Sequence, residues 1–551
     1  MSLAEKLYRI GECVEDDEII QLIRQKPIIS DEKTHFFFMN FLFENDKYID
    51  MRIIEQKVDS EFFFTGAIGG RGSGYYYLYP NLIFENKKDK SGKQEVEKKI
   101  VQFINTLENY LDKGYIHTKH NHHINTIIDV LKKENTKKQL DEKKEYLFAL
   151  LINGKSFYEQ YPEILREYLD NPVSDFSKGK QSLQRGGRDF LTGEAVGIGF
   201  NPDVKIFTLD NYDDSHKNRI VDNLEISRES AKCINRGWLY AIEYLMFYYK
   251  GLNYLVIPNF IKEEVGSYKK ILDTLKTANS ESLIKRNEIR EKVKHISDSI
   301  TQIAKEEKNL LKLLEKPKKG KKEKKIASSL FDDLENNEKN LSIVRKEKEN
   351  LEREKNELEF LIKDDLLDEI GEIFSKKELK EFLNGISLDL IFVNYDTKYG
   401  TVTNIYGTIQ DVIPSKISDV KQKMRSFGIE DGIKLKGREK SKVYLQDYFS
   451  RFELLAKLSK TINEKNVQNM EFKERIYLAK LLLSEEQISY ENLLNRFEQN
   501  REYDYEGKKR IGKKDGVKEW LNDPKEFLEK EQRVIGFLKS IDSLKGVEYG
   551  R

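Results

Sequence analysis

Cysteine is almost absent from this chain, since Cys13 and Cys233 are the only two among 551 residues. Two cysteines cannot form a disulfide framework, and such scarcity is typical of a reducing compartment. Long apolar runs are lacking as well, because no segment approaches the roughly 20 apolar residues that a membrane-spanning helix needs. The opening MSLAEKLYRIGECVEDD is amphipathic and acidic, unlike a secretion signal. The sequence therefore predicts a cytoplasmic protein with no membrane partner.

An excess of charge of one sign is also lacking. The chain has 96 Lys and Arg residues against 95 Asp and Glu residues, which leaves a net charge of +1. A protein that coats nucleic acid on its own is usually more basic, so the balance argues against that class. It still permits local basic strips on a subunit of a larger particle.

The sequence patterns of common catalytic sites are missing too. No Gly-x-x-x-x-Gly-Lys-Ser/Thr phosphate loop, no nucleophile elbow and no metal triad occurs in the chain. We therefore expect no catalytic residue, no bound metal and no cofactor, and predict that the protein is not an enzyme.

What the chain does have is one segment of unusual composition, TGAIGGRGSGYYYLYP (65–80), with five glycines and one arginine between aromatic strands. One interpretation is a flexible hairpin connection, because glycine adopts the positive φ of tight turns. The other is a nucleic-acid loop, in which bare amides approach phosphates and the arginine pairs with a phosphate or a guanine edge. On the second interpretation the binding residues are Gly69, Gly70, Arg71 and Ser73.

Two further loops are rich in glycine and cations. DFSKGKQSLQRGGRDF (175–190) contains Arg185 and Arg188, and FGIEDGIKLKGREKSK (427–442) contains Lys436, Arg438 and Lys440. Each is either an ordinary solvated loop or a segment that contacts a nucleic-acid backbone. We include these five side chains among the predicted nucleic-acid contacts.

Four histidines occur together in GYIHTKHNHHINT (114–126). Imidazole is a common metal ligand, but no cysteine and no acidic partner lies within the cluster. We expect a solvated or nucleic-acid-facing loop here, with a metal-dependent nuclease as the open alternative.

The stretch from Asp189 to Ile261 organises the rest of the chain. Three glycines mark turns, and KIFTL (205–209) alternates like a half-buried strand. Ser227 is placed to cap a helix over Arg228–Tyr249, and LVIP predicts a short core strand that ends at Pro258.

Near the start of the chain, the apolar run KTHFFFMNFLFEND (33–46) predicts a buried strand or a short core helix, and EFFFTG (61–66) predicts a strand. Most of the remaining chain is predicted to be helical. Heptad-like stripes in 289–316 and 330–367 predict two helices of an antiparallel hairpin, joined by the lysine-rich 316–325. SLDLIFVNYDTKYGTVTNIYGTIQDVIPSKI (387–417) predicts two paired strands, after which Pro414 stops the strand and Ser415 caps a helix. Amphipathic periods from there to the end predict a helical bundle.

Three phrases taken in order, VKIFTLDNY (204–212), the helix after Ser227 and VIPNFI (256–261), resemble the centre of the large subunit of the type I-B CRISPR interference complex (Cascade), the Cas-eight-b family. Members of that family commonly carry two cysteine pairs that bind zinc. Here Asp189 and Thr192 stand where the first pair is expected, and Ser227 and Ser230 stand where the second is expected. The resemblance implies a zinc-ribbon-like module that has lost its metal and is held by hydrogen bonds and packing.

The resemblance also implies the layout of the chain. We predict an α+β, multi-domain fold: a mixed α/β N-terminal body, a central degenerate zinc-ribbon-like module with its helix and strand, a helical hairpin insertion, a β-hairpin that returns to the body, and a small-subunit-like C-terminal helical bundle. The expected boundaries, in that order, are 1–188, 189–261, 262–370, 371–418 and 419–551.

The implied function is that of a non-catalytic subunit of an RNA-guided surveillance complex. It recognises the protospacer-adjacent motif in target DNA, helps duplex unwinding and recruits a helicase-nuclease. The implied partners are guide crRNA, target double-stranded DNA, the helicase-nuclease, and the backbone, 5′-handle-binding and small subunits of Cascade. A metal-dependent nuclease of a defence system and a coiled-coil scaffold protein remain the alternatives.

Overall fold

A computed structural model gives the fold of this chain. It describes residues 2–23, 35–55, 81–84, 95–112, 114, 116–133, 146–163, 185–199, 202, 204, 225–249, 252–260, 265–314, 327–362, 385–396, 401–430, 442–449, 464–510 and 524–546.

The chain divides into two compact units. The first comprises Met1–Glu243 together with Tyr395–Ile405, and the second comprises Tyr244–Asn394 together with Tyr406–Arg551. Both units combine helices with strands, which confirms the predicted α+β, multi-domain class.

In the first unit, helices surround a small sheet and a separate two-stranded ribbon. The helices are α1 (Leu3–Cys13), α2 (Asp16–Ile23), α3 (Glu95–Asp112), α4 (Asn121–Leu131), the short α5 (Phe157–Gln160) and α6 (Arg228–Tyr244). The strands are β1 (His35–Glu44), β2 (Lys47–Glu55), β3 (Asn81–Phe84), β4 (Tyr146–Ile152), β5 (Lys155–Ser156), β6 (Arg185–Arg188) and β7 (Ala195–Ile198).

The sheet of this unit is centred on the apolar strands β1 and β4, which pair in parallel. Strand order is β2-β1-β4-β3, with β5 also paired to β4. The run HFFFMNFLFE forms a strand rather than the alternative short helix, and its Phe38, Met39 and Phe41 are almost fully buried. Helix α3 packs on α4 and β3, which closes the core on that side.

Helices α1 and α6 cross at a glycine contact. A Cβ added at Gly11 would lie 1.8 Å from the carbonyl oxygen of Cys233, and one added at Gly237 would lie 1.9 Å from that of Leu7. Two glycines therefore let the two helical backbones touch, which larger residues would prevent.

The second unit combines a four-stranded sheet with helices, and its two longest helices come between the second and third strands of that sheet along the chain. The strands are β8 (Met246–Tyr249), β9 (Leu252–Phe260), β10 (Ile386–Asp396), β11 (Thr401–Val412), β12 (Ile429–Glu430), β13 (Val443–Tyr444), β14 (Ile488–Ser489) and β15 (Leu544–Lys545). The helices are α7 (Val265–Leu314), α8 (Ala327–Ile362), α9 (Pro414–Ser426), α10 (Gln446–Phe449), α11 (Glu464–Leu483), α12 (Tyr490–Arg510) and α13 (Pro524–Ser540).

Two sequence predictions about strand β9 and its surroundings are wrong. The helix after Ser227 ends at Tyr244 instead of Tyr249, because the aromatic run MFYY forms β8 and pairs with β9. Strand β9 also continues beyond Pro258 to Phe260. Strand β8 pairs with β9 only as far as Leu255, so at Pro258 the only neighbour among the described strands is β10. On the side that β8 has left, the described residues include no strand to receive a hydrogen bond, so the N–H that proline lacks is not needed there.

The two predicted heptad-like helices are present and pack on each other. Helix α7 has 50 residues and is therefore about 75 Å long. The carboxylate of Glu307 accepts hydrogen bonds from Arg345 at 2.9 Å and Lys348 at 3.0 Å, while Leu341 and Val344 are buried in the seam. The lysine-rich segment 316–325 lies outside the described residues.

The helices at the end of the chain share a core that includes Leu481, Phe497 and Phe537. The prediction for the start of α9 needs correction. Pro414 is the first helical residue and Ile413 the cap, so Ser415 caps nothing. Proline suits that position because its missing N–H is one that the first turn leaves unpaired anyway.

Within the described residues, no helix combines the length and the apolar character needed to cross a bilayer. The predicted strands KIFTL (205–209) and EFFFTG (61–66) lie outside the described residues.

Candidate nucleic-acid interface

The described part of the predicted interface begins with the ribbon of β6 and β7. Arg185 pairs with Ile198 and Arg188 pairs with Ala195 in an antiparallel register. Between them, a Cβ on Gly187 would lie 2.4 Å from the Cδ1 atom of Ile198, whereas one on Gly186 would meet no atom within 4 Å. One face of β6 is thus closed by packing and the other is open.

A tight turn built around the Asp189 carboxylate follows β6. Asp189 is only 1% exposed. Its Oδ1 atom accepts hydrogen bonds from the backbone amides of Leu191 at 2.7 Å and Thr192 at 3.1 Å. The turn is closed by the amide of Gly193, which has a φ of 75° and donates to the Asp189 carbonyl at 2.8 Å.

The second segment that contacts this turn lies 38 residues later in the chain. The backbone amide of Ser227 donates to Asp189 Oδ2 at 2.5 Å. The Ser227 hydroxyl in turn accepts from the amide of Ser230 at 3.1 Å, which confirms its predicted role as the cap of α6. Gly199 and Ile226 exchange two backbone hydrogen bonds beside it. A single buried carboxylate therefore ties the turn after β6 to the start of α6.

The electrostatics of this carboxylate follow from its bonds. Burial alone would raise the pKa of Asp189, but hydrogen bonds from Ser227 and from the Leu191 amide outweigh it and lower the pKa below its ordinary value of 3.8. Asp189 is therefore ionised at neutral pH, and its charge is neutralised by oriented backbone dipoles and hydroxyl groups.

A zinc site like that of the resembled family does not fit these residues, in agreement with the loss of metal that the resemblance implies. Asp189, Thr192, Ser227 and Ser230 offer one carboxylate and three hydroxyls where zinc prefers thiolate and imidazole. Both carboxylate oxygens already accept backbone hydrogen bonds. The four positions do come together, but around the negatively charged carboxylate of Asp189.

Outward from this buried centre, the neighbours of Asp189 are exposed. Arg188 lies in solvent at the end of β6, and Phe190 is 54% exposed. The backbone between them is held on both sides, because the Asp189 amide donates to Glu194 and the Phe190 amide donates to the Glu225 carbonyl at 2.7 Å. Sequence reasoning missed Phe190, since nothing in the pattern distinguishes it from the many aromatic residues that are buried.

Of the nine predicted contacts, the structure describes two, Arg185 and Arg188. Arg185 and Arg188 lie at opposite ends of the same four-residue strand. The other seven predicted contacts lie outside the described residues: Gly69, Gly70, Arg71, Ser73, Lys436, Arg438 and Lys440.

The histidine cluster forms a 3-10 turn and the start of α4, so the prediction of a solvated loop is wrong for part of it. His123 is buried, with Nε2 3.1 Å from a carboxylate oxygen of Asp46 and Nδ1 3.3 Å from the Tyr161 hydroxyl. Burial lowers the pKa of the neighbouring His120 and raises that of Tyr161.

The acidic partner absent from the cluster's own sequence is therefore supplied by the β1–β2 turn. Both ring nitrogens of His123 have protein partners, which suits a packing role. In the described part of the chain, no group of three or more His, Cys, Asp or Glu side chains is placed to hold a metal ion.

Comparison with known proteins gives one family match. Residues 204–316 match the family model described as the central domain of the CRISPR-associated protein TM1802. This segment includes α6, β8, β9 and the whole of α7, and the match supports a CRISPR-associated role in defence. No curated protein matches the chain.

Proposed function

We propose that this chain is the large subunit of a type I-B CRISPR RNA-guided surveillance complex. The observation that carries the proposal is the family match over residues 204–316, which begins within the sequence that resembles such subunits. The β6–β7 ribbon adds a physical reason, since it presents an arginine and an open glycine face on a hydrogen-bonded support.

In this role the N-terminal body sits at the 5′ end of the guide crRNA and recognises the protospacer-adjacent motif of the target duplex. Base pairing with the guide then reads the rest of the sequence. The C-terminal helices support the displaced strand, beside the backbone, 5′-handle-binding and small subunits. The chain cuts nothing itself and recruits a helicase-nuclease that does.

A reconstitution experiment tests the assignment. We would express the chain with guide crRNA and the Cascade subunits encoded beside it, and measure binding to a duplex that carries the flanking motif and to one in which the motif is scrambled. We expect the chain to co-purify with crRNA and the complex to prefer the intact motif. A complex that assembles and discriminates equally well without the chain would contradict the proposal.

The arginines of β6 give a finer measurement on the same complex. The double variant Arg185→Ala/Arg188→Ala should weaken binding to both duplexes, because phosphate contacts position the nucleic acid without reading its sequence. Lys47→Ala/Lys133→Ala removes two exposed cations from the same unit and serves as the matched control, which should bind as the wild type does. Equal losses in the two variants would show a general charge effect instead of a site.

A second candidate function, a coiled-coil scaffold, is favoured by the α7–α8 pair. Its seam is held by Glu307 and by buried Leu341 and Val344. Replacing 297–356 with a short Gly-Ser linker separates the two functions. A surveillance subunit should still join its complex and bind the target, whereas a scaffold would lose its partner.

A further inference from the structure

Phe190 is an exception among the aromatic residues of this protein. Phenylalanine, tyrosine and tryptophan make up 11% of the sequence. Among the residues whose side chains the structure describes, Phe190 is the only one of these that is exposed, at 54%. A large apolar ring held in water is unfavourable unless a partner covers it.

The surroundings of the ring restrict what that partner is. Arg188, two residues earlier, is exposed. Gly186 and Arg188 lie on the same face of β6, because residues two apart on a strand point to the same side. A Cβ added at Gly186 would meet no atom within 4 Å, so this face is open. Glu194 is exposed on the same turn, so the local charge is mixed and the ring must contribute to the binding of any partner that the arginine contacts.

The support beneath the ring is rigid. The backbone of Phe190 is fixed by its amide bond to Glu225, and those of its two neighbours by bonds to the Asp189 carboxylate and the Glu194 carbonyl. An aromatic ring on a fixed backbone loses little conformational freedom when a flat partner covers it.

We propose that Phe190 and Arg188 form a stacking site for one unpaired nucleobase and its phosphate, in single-stranded RNA or DNA. The ring offers a π-face on which any base can stack, and the guanidinium pairs with the adjacent phosphate. Asp189 acts as a positioning residue that holds both side chains outward. The site deepens the proposed function and rests on it, since a guide RNA or a displaced DNA strand supplies the unpaired base.

The test uses the full chain with fluorescent oligo-U and oligo-dT, and measures binding by anisotropy. Phe190→Leu keeps an apolar side chain and removes the π-face, so binding should weaken by about fivefold to a hundredfold, the range for loss of one stacked base. Val101→Ala alters another apolar side chain of similar exposure, 55%, and should change nothing. Arg188→Ala should flatten the salt dependence by about 0.7 in log–log slope, the value for one phosphate of a single strand.

Phe190→Trp provides an independent reading, because it keeps the π-face and adds a fluorophore. Binding should be retained, and the added fluorescence should be quenched by a stacked base. Wild-type affinity in Phe190→Leu, or a loss of partner proteins with oligonucleotide binding intact, would overturn the proposal. A preference for oligo-U over oligo-dT would identify RNA as the source of the base, and the reverse preference would identify DNA.

The two proposals can fail separately. If the reconstituted complex forms and reads its motif while Phe190→Leu is harmless, the stacking site is wrong and the assignment stands. If no complex forms but oligonucleotide binding depends on Phe190, the assignment is wrong and the site remains as a single-strand binding site.

Discussion

Asp189 shows how much one side chain can organise when it is buried with its charge. It accepts backbone hydrogen bonds from Leu191, Thr192 and Ser227, and so joins two segments that are 38 residues apart. Hydrogen bonds to an ionised group contribute about 1.5 to 3 kcal/mol each, more than neutral ones do.

Asp189→Asn should therefore destabilise the first unit. The amide nitrogen of asparagine cannot accept a hydrogen bond, so one buried N–H loses its partner at a cost of about 2 kcal/mol. For a unit of this size that corresponds to a fall of roughly 4 to 8 °C in the melting temperature, measurable by circular dichroism. Asp129→Asn, at an exposed position of α4, is the control and should melt with the wild type.

The lowered pKa of Asp189 predicts how this difference depends on pH. Because the folded-state pKa lies below the ordinary value of 3.8, the carboxylate stabilises the fold fully above that value. The stabilisation is lost as the pH falls from there through the folded-state pKa. Melting curves of wild type and Asp189→Asn should thus differ most above pH 4 and converge in stronger acid. A difference that grows on acidification would contradict this sign.

At the residue scale, the sequence predicted some of this site and not the rest. Ser227 as a helix cap follows from local chemistry, because a hydroxyl just before a helix satisfies amides of its first turn. The burial of Asp189 depends on a segment 38 residues away, which no local pattern contains. The exposure of Phe190 is likewise decided by which neighbours fail to cover it.

Among the elements, the crossing of α1 and α6 is the least tolerant of change. Gly11 and Gly237 contact the opposite backbone directly, at Cys233 and Leu7. Backbone atoms cannot rotate away as a flexible side chain can, so an added methyl group must push the helices apart.

Gly237→Ala should therefore destabilise the protein by about 1 to 3 kcal/mol through overpacking. The clash outweighs the gain of roughly 1 kcal/mol that alanine brings to a helix interior. The melting temperature is the measurement. Gly186→Ala adds the same methyl group where no atom lies within 4 Å, and it should leave that temperature nearly unchanged. An unchanged or higher melting temperature in Gly237→Ala would contradict the crossing.

At this scale, apolar runs predicted the strands well and their limits poorly. HFFFMNFLFE and the run after Ile386 are strands because they are too apolar to lie in solvent and rich in residues that suit a sheet. The predicted end of β9 at Pro258 was wrong, because a proline ends a strand only where its missing N–H would have bonded to a neighbouring strand. Asn153 and Gly154, both at positive φ between β4 and β5, were an available hairpin signal.

At the scale of the whole molecule, neither compact unit is a continuous stretch of chain. The first unit is completed by Tyr395–Ile405, which includes the end of β10 and the start of β11. Domain boundaries drawn at changes of composition cannot reveal that residues 395–405 belong to the first unit, since their sequence is that of an ordinary β-hairpin.

This division predicts how fragments behave. A fragment of residues 1–243 lacks part of its own unit and should melt below the corresponding transition of the full chain. Fusing residues 395–405 to it through a flexible linker should recover part of the loss. Limited proteolysis and calorimetry of both fragments provide the measurement. Identical stability of the two would show that the returning segment adds nothing to the first unit.

The anion-centred turn also changes what the cell must provide. A ribbon closed by thiolates folds only once a zinc ion is bound, and peroxide can release that ion by oxidising the sulfur atoms. Here every atom that closes the turn is encoded in the chain, and none of its four side chains, from Asp189 to Ser230, carries sulfur. The turn therefore needs no metal delivery during synthesis, and neither removal of zinc nor oxidation of cysteine can open it.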